Sequence, residues 1–383
     1  MIDFSLVIPT FNEAENICIL IPRVISLLSA SKISFEIIVV DDDSKDLTWK
    51  VVQEKFSEEP RVRVLRRVNK KGLSSAVLDG MALANGKYLG VMDADLQHDE
   101  NIIPKMIGEL ASHDIVVGSR VVGDGGYGEW GIIRKMMSKG ATLLAKIMLP
   151  IPVGDPMSGF FILRRDLYEE LVPVINPRGF KILLEFLARK KGIRAKEVGF
   201  VFKTRIHGET KMSGSVIQNY LVALYDIRFG NFISITFLKY GFTGLTGVFV
   251  NLFGQFIAMS FLHPASAHGY YDNFTKPFLA VAFGFEISVL SNYIINNLWT
   301  FSDSKINGLA ANVKGFVKFN IVSIIGFIVQ ISVWRFTYQL IQDTFPEYLF
   351  PELTYLCNFA GIVLATAGNY FLNKNFTWQE KNS

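Results

Sequence analysis

The sequence has 383 residues, of which 50% are hydrophobic and 19% are charged, and its formal net charge is +4. This length allows a catalytic domain and a second domain, and the small net charge gives little support for nucleic acid as a partner. Cys18 and Cys357 lie far apart in segments of different character, so we expect neither a disulfide framework nor a thiolate metal site. The N-terminus has no signal-peptide pattern, and the first domain is expected to stay in the cytosol.

Short apolar runs alternate with amphipathic stretches over the first half of the chain. The runs predict strands, and the alternation indicates an α/β domain with a largely parallel sheet. In open sheets of this kind, ligands bind at the carboxyl ends of the strands. The predicted strands are FSLVIP (4–9), EIIVV (36–40), VRVL (62–65), YLGVM (88–92), DIVVG (114–118) and FFIL (160–163).

Polar residues follow the first two predicted strands. VIPTFNE, residues 7–13, places Phe11 and Glu13 after the first strand, and VVDDDSKD, residues 39–46, places Asp42 after the second. An aromatic ring can stack on a base, and carboxylates can accept hydrogen bonds from a base or from ribose hydroxyls. Either stretch alone also fits a helix cap.

The stretch VMDADLQH, residues 91–98, places two carboxylates directly after another apolar run. A solvated turn explains such a stretch as well as a functional site does. Carboxylates at positions i and i+2 can also converge on Mg²⁺ or Mn²⁺, which prefer hard oxygen ligands. Together with the first two motifs, this stretch indicates a nucleotide and metal site at one edge of the sheet.

Two amphipathic stretches are candidates for helices that lie on a membrane. In residues 132–149 the apolar side chains occupy one sector, and Arg134, Lys135, Lys139 and Lys146 occupy another. This pattern fits an interfacial helix and, equally, a helix packed on the sheet. The second stretch, residues 215–231, leads directly into an apolar span. GDGGYG, residues 123–128, fits a mobile loop better than a dinucleotide-binding turn, because it does not open a first βαβ unit.

Beyond residue 230 the chain contains four long spans that are almost free of charge. Their length predicts transmembrane helices, with a buried globular core as the less favoured alternative. Lysines near 302–318 and at the C-terminus place both termini in the cytoplasm. Glu286 lies inside an apolar span and is a candidate contact between helices, with a water-exposed position as the alternative. The spans are about 240–262, 277–301, 319–341 and 355–373.

The four spans resemble a duplicated pair. LKYGFTGLTGVFVN is similar to VKFNIVSIIGFIVQ, and SNYIINNLWTFSD is similar to GNYFLNKNFTWQE, so Lys239 matches Lys318 and Asn292 matches Asn369. We therefore expect two helical hairpins. The tryptophans of NLWTF and NFTWQ are expected at the water interface of the membrane.

An ordered series of motifs resembles a known family over nearly the whole chain. PTFNE, VVDDDS, GLSSAVLDG, DADLQH, VGSR, RKMMSKG, DPMSGFF and RIHGETK are similar to motifs of family 2 glycosyltransferases, above all the polyprenol-phosphate mannosyltransferases of the archaeal kind. The C-terminal half resembles a GtrA-like membrane domain. One departure is Phe11, where many relatives have Tyr. The resemblance implies an α/β GT-A (Rossmann-like) domain at 1–214, an interfacial linker at 215–232 and a membrane domain of four transmembrane helices at 233–383.

The resemblance also implies roles for individual residues. Asp95 and Gln97 would ligate Mg²⁺ or Mn²⁺, and Asp93 would be shared between metal and nucleotide. Arg205 and Lys211 would clamp the diphosphate. Taken singly, Gln97 also fits a turn cap, and Arg120 a surface ion pair. The acceptor phosphate would be bound by Arg120, Arg134 and Ser138, and the nucleotide sugar by Pro9, Phe11, Glu13, Val40, Asp42 and Ala94.

The implied reaction is a metal-dependent, inverting transfer of mannose from GDP-mannose to dolichyl phosphate at the cytosolic membrane face. A lipid monophosphate is already an oxyanion near neutral pH, so the acceptor needs no strong base. Two alternatives stay open: a glucosyltransferase that uses UDP-glucose, and a lipid-linked-sugar flippase or scaffold whose first domain only binds nucleotide.

Overall fold

The computed structural model describes residues 2–128, 131–176, 181–203, 214–230, 232–262, 272–344 and 353–379. The chain divides into two compact units, Met1–Asn231 and Phe232–Ser383. The first unit is α/β and the second is helical, as the sequence predicts. Arg205 and Lys211 lie outside the described residues.

Over the residues that the structure describes, seven strands form the sheet of the first unit. They are β1 (Phe4–Thr10), β2 (Phe35–Asp41), β3 (Val62–Arg66), β4 (Tyr88–Val91), β5 (Ile115–Ser119), β6 (Phe161–Arg164) and β7 (Ala195–Gly199). Their order is β3-β2-β1-β4-β6-β5-β7, and every pairing is parallel except those of β6 with β4 and β5. The six predicted strands are confirmed. The sequence pattern missed β7, because this strand at the sheet edge is only partly buried and carries charged residues.

Helices cover both faces of this sheet. Phe4, Leu6 and Ile8 of β1 point into one apolar layer, whereas Val7 points into the other, and packing on both faces explains why every residue of β1 is buried. The helices are α1 (Ala14–Ala30), α2 (Thr48–Lys55), α3 (Leu73–Leu83), α4 (Ile103–Glu109), α5 (Ile132–Met148), α6 (Arg165–Leu171), α7 (Ile182–Arg189) and α8 (Gly214–Phe229).

The reversed direction of β6 affects the edge of the sheet that is formed by the carboxyl ends of the other strands. Its first residue, Phe161, pairs with Val91 at the carboxyl end of β4 and with Val117 near the carboxyl end of β5. The loop that leads into β6, which contains Asp155 and Gly159, therefore lies at the edge where the neighbouring strands end. This edge also receives the residues that follow β1 and β2.

The described part of the second unit contains four long helices: α9 (Ile235–Leu262), α10 (Asp272–Ile295), α11 (Leu309–Thr344) and α12 (Leu353–Leu372). α9 packs along α10, and α11 packs along α12. Short π-helical segments, Asn296–Thr300 and Asn373–Thr377, extend α10 and α12. Among the described residues, three segments are long and apolar enough to cross a membrane: Ile235–Phe261, Leu279–Thr300 and Leu309–Thr344. The fourth predicted span, at α12, is not one of them.

The same contacts recur in both helical pairs. Gly247 lies so close to Asn292 that a Cβ atom would not fit, and Gly326 lies equally close to Asn369. The ammonium of Lys239 lies 5.5 Å from the ring centroid of Trp299, and that of the equivalent Lys318 lies 4.4 Å from the ring of Phe376. The structure therefore repeats the packing that the duplicated sequence segments predict.

Two expectations for this unit have different outcomes. Trp378 is 1% exposed, so its expected position at the water interface is wrong. Its indole N–H donates to Asn297 Oδ1 at 2.9 Å, and a buried partner of this kind makes burial of the polar indole edge favourable. Glu286 does join two helices, because Asn320 Nδ2 of α11 donates to Glu286 Oε2 at 3.0 Å.

Candidate functional site

The loops that follow β1 and β2 hold each other in place. Asp46 accepts hydrogen bonds from the backbone N–H groups of Ala14 and Thr48, each at 3.0 Å, and so satisfies the first turns of both α1 and α2. Thr48 Oγ1 accepts the backbone N–H of Glu13 at 3.0 Å. The segment that carries Phe11 and Glu13 is thereby fixed before any ligand binds. Phe11 is 49% exposed, which leaves its ring available for stacking.

The second loop presents Asp42 from a buried position. Asp42 Oδ1 accepts Arg67 Nε at 2.7 Å, and Asp42 Oδ2 accepts the backbone N–H of Gly72 at 2.8 Å. Arg67 was not among the residues that the sequence motifs single out. A buried arginine directly after a strand has no distinctive spacing, so only the fold reveals this pair.

The stretch after β4 forms a tight turn. Asp95 Oδ1 accepts the backbone N–H of Gln97 at 3.2 Å, and Leu96 between them has a φ of 62°. A left-handed backbone is unfavourable for leucine, and such strain concentrates at functional sites. The amide of Gln97 donates to the carbonyl of Lys203 at 2.9 Å. Gly159 approaches Asp93 so closely that no Cβ atom fits between them.

One open cleft of 310 Å³ joins these segments. Seven of the predicted site residues line it, together with Thr10, Leu73 and Ala76. Val40 does not, because it is fully buried in β2 and packs against Gly80. Gln97, Arg120, Arg134 and Ser138 are also not part of the lining. The seven predicted residues are Pro9, Phe11, Glu13, Asp42, Asp93, Ala94 and Asp95.

Arg120 forms a buried ion pair next to β5. Its Nε and Nη2 atoms each donate to Asp155 at 2.7 Å, and its backbone N–H donates to the same carboxylate at 3.1 Å. Burial disfavours the Arg120 cation, but the hydrogen bond and charge of Asp155 outweigh it and raise the pKa of Arg120. Glu197 accepts the backbone N–H groups of Gly154 and Asp155 at 2.6 and 3.0 Å and fixes the loop before β6. The ion pair predicted as the alternative for Arg120 is therefore present, but it is buried rather than exposed.

Two further ionisable groups lie within electrostatic reach of this ion pair. Burial, followed by the charge of Arg120, lowers the pKa of Lys181 to about 8, whereas Asp93 and Asp155 act in the opposite direction. Burial also lowers the pKa of His98 to about 3, so this imidazole is neutral near pH 7. The His98 ring packs among three phenylalanines at centroid distances of 5.3–5.5 Å. Lys181 was missed because a single lysine before a helix carries no sequence signal.

The helix α5 carries Arg134 and Ser138 one turn apart on the same side. Its apolar side chains are exposed, with Ile132 at 77%, Ile133 at 76% and Ile147 at 72%. Ala145 is the helix's one buried residue. It packs with Tyr220 of α8, whose hydroxyl donates to the carbonyl of Ala141 at 2.6 Å. Most of the apolar sector is thus not packed on the sheet, which favours the interfacial alternative.

The Gly-rich segment 123–128 is a loop, as expected, and it is hydrogen-bonded to a neighbouring segment. Gly126 donates its backbone N–H to Phe200 at 3.1 Å, and Phe202 donates to the carbonyl of Gly126 at 2.9 Å. These hydrogen bonds tie the loop to the segment that follows β7.

The cleft contains carboxylate oxygen atoms, which are the donor atoms that a divalent cation such as Mg²⁺ prefers. Within the described ranges, no three His, Cys, Asp or Glu side chains form a group that could hold a metal ion. Asp93 and Asp95 nevertheless face the same cleft and supply hard oxygen atoms, and amide and phosphate oxygens complete such sites in proteins. A pair of carboxylates with an open side fits a cation that a ligand diphosphate also coordinates.

Comparison with known proteins covers both units. The model of glycosyl transferase family 2 matches residues 5–172, and that of the GtrA/DPMS transmembrane domain matches residues 239–378. Dolichol-phosphate mannosyltransferase of Pyrococcus furiosus is 37% identical over 378 residues, which are 98% of this chain and 99% of that protein. The protein of the same name from Saccharomyces cerevisiae is 39% identical over 60% of this chain and 89% of its own length.

Among solved structures, glucosyl-3-phosphoglycerate synthase from Mycobacterium tuberculosis, in complex with Mg²⁺ and uridine diphosphate, has a TM-score of 0.47 at 19% identity. The match covers 59% of this chain and 79% of that one. This likeness is too distant to support conclusions about ligands.

Proposed function

Because this chain belongs to the dolichol-phosphate mannosyltransferases and combines a family 2 glycosyltransferase domain with a GtrA/DPMS transmembrane domain, we propose that it transfers mannose from GDP-mannose to dolichyl or another polyprenyl phosphate. The observation that carries this proposal is the cleft at the carboxyl ends of the strands. There Phe11, Glu13 and Asp42 offer an aromatic face and acceptors for a nucleoside, and Asp93 and Asp95 lie in the same cleft.

The choice of guanine over uracil rests on hydrogen-bond donors. Guanine carries an N1–H and a 2-amino group, whereas uracil has one ring N–H on its pairing edge. Glu13 and Asp42 both line the cleft, and the acceptor character of their carboxylates suits the additional donor of guanine. Phe11 stacks on the base through its exposed ring.

Mg²⁺ or Mn²⁺ is held by Asp93, Asp95 and Gln97 in this proposal. When bound, the cation stabilises the negative charge that the nucleotide diphosphate develops as it leaves. Gly159 leaves the Asp93 carboxylate in place, because any side chain there would displace it. Arg205 and Lys211 clamp the diphosphate from the segment that follows Lys203.

The acceptor phosphate is bound by Arg120, Arg134 and Ser138. Since Asp155 neutralises most of the charge of Arg120, Arg134 remains as one effective cation, and Lys181 supplies the second. A lipid monophosphate has a second pKa of about 6 and attacks without a general base. The displacement is in line and inverts the anomeric centre, and orientation of the two substrates supplies much of the acceleration.

Exposed apolar side chains support the membrane arrangement that we propose. The apolar sectors of α5 and α8 dip into the cytosolic leaflet and bring the acceptor phosphate to the first unit. We propose four spans, with α12 as the fourth, and a cytosolic location of the catalytic unit and both termini. The proposed domain limits are 1–214 for the catalytic domain, 215–232 for the interfacial linker and 233–383 for the membrane domain.

A transfer assay tests the proposal. The detergent-solubilised full chain is incubated with a short polyprenyl phosphate and either radiolabelled GDP-mannose or UDP-glucose, with Mg²⁺, Mn²⁺ or a chelator. We expect lipid-linked mannose from GDP-mannose only, loss of transfer under chelation and recovery when metal is added. Transfer from UDP-glucose instead would reverse the choice of donor. Undiminished transfer under chelation would refute the metal role, and nucleotide binding without any transfer would favour the flippase or scaffold alternative.

A further inference from the structure

Asp42 is held from two sides at the edge of the cleft. Each of its oxygens accepts one hydrogen bond from the protein, one from Arg67 and one from the backbone of Gly72. A carboxylate oxygen has two acceptor sites, so each oxygen keeps one for a ligand. Asp42 is 7% exposed and lines the cleft. Because the two protein hydrogen bonds fix the orientation of the carboxylate, they also fix the direction of its remaining acceptor sites.

Arg67 has no surface of its own in the cleft. Its side chain is 1% exposed, and its hydrogen bonds go to protein atoms. Nη1 donates to Ser75 Oγ at 3.0 Å and to Asp79 Oδ2 at 3.2 Å, and Nη2 donates to the carbonyl of Gly72 at 3.3 Å. The guanidinium thus joins the end of β3, the loop after β2 and the first turn of α3.

The charges of this cluster explain what such an arrangement does. Asp42 and Asp79 carry two negative charges, and Arg67 and Lys70, whose ammonium lies 3.6 Å from Asp79 Oδ2, carry two positive charges, so the cluster is neutral overall. The paired guanidinium fixes the orientation of the Asp42 carboxylate. A carboxylate in this state binds N–H and O–H donors, as a base or a ribose presents, and repels phosphate.

We infer that Arg67 is a positioning residue that aims Asp42 at the nucleoside of the donor without touching the donor itself. This inference rests on the proposed function, because it requires that the cleft binds a nucleotide sugar. Removal of Arg67 leaves a largely buried carboxylate without its cation and frees the Gly72 turn, so donor affinity falls although no ligand contact is deleted.

The test measures GDP binding to the full chain in detergent by calorimetry, with metal present, alongside steady-state transfer. We expect Arg67→Met to weaken GDP binding and raise the donor KM by about 10- to 100-fold, the range for a lost hydrogen bond to a charged group. The kcat at saturating donor and the KM for polyprenyl phosphate should stay near the wild-type values. Arg63→Met is the matched control, because Arg63 also belongs to β3. Its Nη2 atom lies 2.6 Å from Glu36 Oε2, and neither residue lines the cleft.

A double-mutant cycle separates an indirect role from a direct one. If Arg67 acts through Asp42, Arg67→Met adds almost no further loss of GDP affinity in an Asp42→Ala background. Losses that multiply in the double variant, or an unchanged affinity of Arg67→Met, would overturn the inference. Absence of GDP binding to the wild-type chain would instead overturn the proposed function.

A second variant covers the case in which Arg67→Met does not fold. Besides Asp42, the Arg67 guanidinium pairs with Asp79. Asp79→Asn removes the charge of this second partner and leaves Asp42 unchanged. We expect this variant to melt like the wild type and to bind GDP measurably more weakly. An affinity equal to that of the wild type would count against the positioning role.

Discussion

Phe301 and Trp378 stack on each other with their ring centroids 4.5 Å apart and an interplanar angle of 12°. The two residues occupy equivalent positions in the duplicated segments of the membrane unit. Tyr293 lies 5.6 Å from Trp378, and its counterpart Tyr370 lies 6.2 Å from Phe301. The four rings therefore form a stack that joins one helical pair to the other.

Truncation of this stack should destabilise the membrane unit. We expect Trp378→Ala to lower the free energy of unfolding by about 3–5 kcal/mol, the range for a fully buried large aromatic, because it also removes the hydrogen bond to Asn297. Thermal unfolding in detergent measures the effect. Trp299→Ala is the control. Because Trp299 is 36% exposed, its truncation should lower the free energy of unfolding much less. Equal losses in both variants would contradict the central position of Trp378.

Loss of one carboxylate in the turn after β4 should abolish transfer without unfolding the chain. Asp95→Asn keeps an oxygen that can accept the backbone N–H of Gln97 but removes the negative charge. We expect transfer to fall by at least about 100-fold, as for removal of one group that stabilises the developing charge. The control is Asp43→Asn, which affects an ion pair with Arg66 on the surface. Retained activity in Asp95→Asn would show that the cation does not depend on this residue.

Lys181 should matter for turnover more than for folding. Lys181→Met removes the second cation next to the neutralised Arg120, and we expect a decrease in kcat of about 100-fold with little change in GDP affinity. Lys190→Met at the other end of α7 is the matched control, because Lys190 pairs with Glu170 at the surface. Similar activity of the two variants would remove Lys181 from the acceptor site.

A buried carboxyl in α7 should make stability depend on pH. Burial raises the pKa of Glu185, although Arg189 forms a hydrogen bond with it at 2.9 Å. The folded state therefore keeps the proton to higher pH than the unfolded state, and stability is lost as the pH rises from the unfolded value near 4.5 through the folded pKa. Urea unfolding of the wild type and of Glu185→Gln across this range measures the slope. The free energy of unfolding of Glu185→Gln should increase relative to that of the wild type as the pH rises. If the two free energies of unfolding changed with pH in parallel, the effect would be excluded.

The apolar sector of α5 should contact lipid. A fluorophore that is sensitive to polarity, attached at Ile133→Cys in a chain without its two native cysteines, should shift to the blue in nanodiscs. The same label at Lys139→Cys, in the basic sector, should keep the emission wavelength that is typical of an aqueous environment. Identical spectra at both positions would mean that α5 does not lie on the bilayer.

The strands and the acidic turns of the first unit could be predicted because apolar runs and polar ends leave a direct sequence pattern. The position of Val40 illustrates the limit of that approach. It belongs to the same motif as Asp42, yet the alternation of a strand points its side chain into the core.

Residues that act through distant contacts could not be found from sequence. Arg67 contacts Asp42 only because β2 and β3 are neighbours, and Lys181 comes within electrostatic range of Asp93 only because α7 packs against the sheet. Trp378 looked like an interfacial anchor because its sequence neighbours end a span. Its burial depends on Asn297, which lies in the other half of the duplication.

The doubled packing of the membrane unit has a consequence for how such a chain could arise. A half-length ancestor with one hairpin would bury the ring stack only by pairing with a second molecule, so its assembly would depend on concentration. Fusion of the two copies makes that association intramolecular and lets each half change on its own. The hydrogen bond between Glu286 and Asn320 is such a divergence, because the equivalent positions hold Val363 and Gly241.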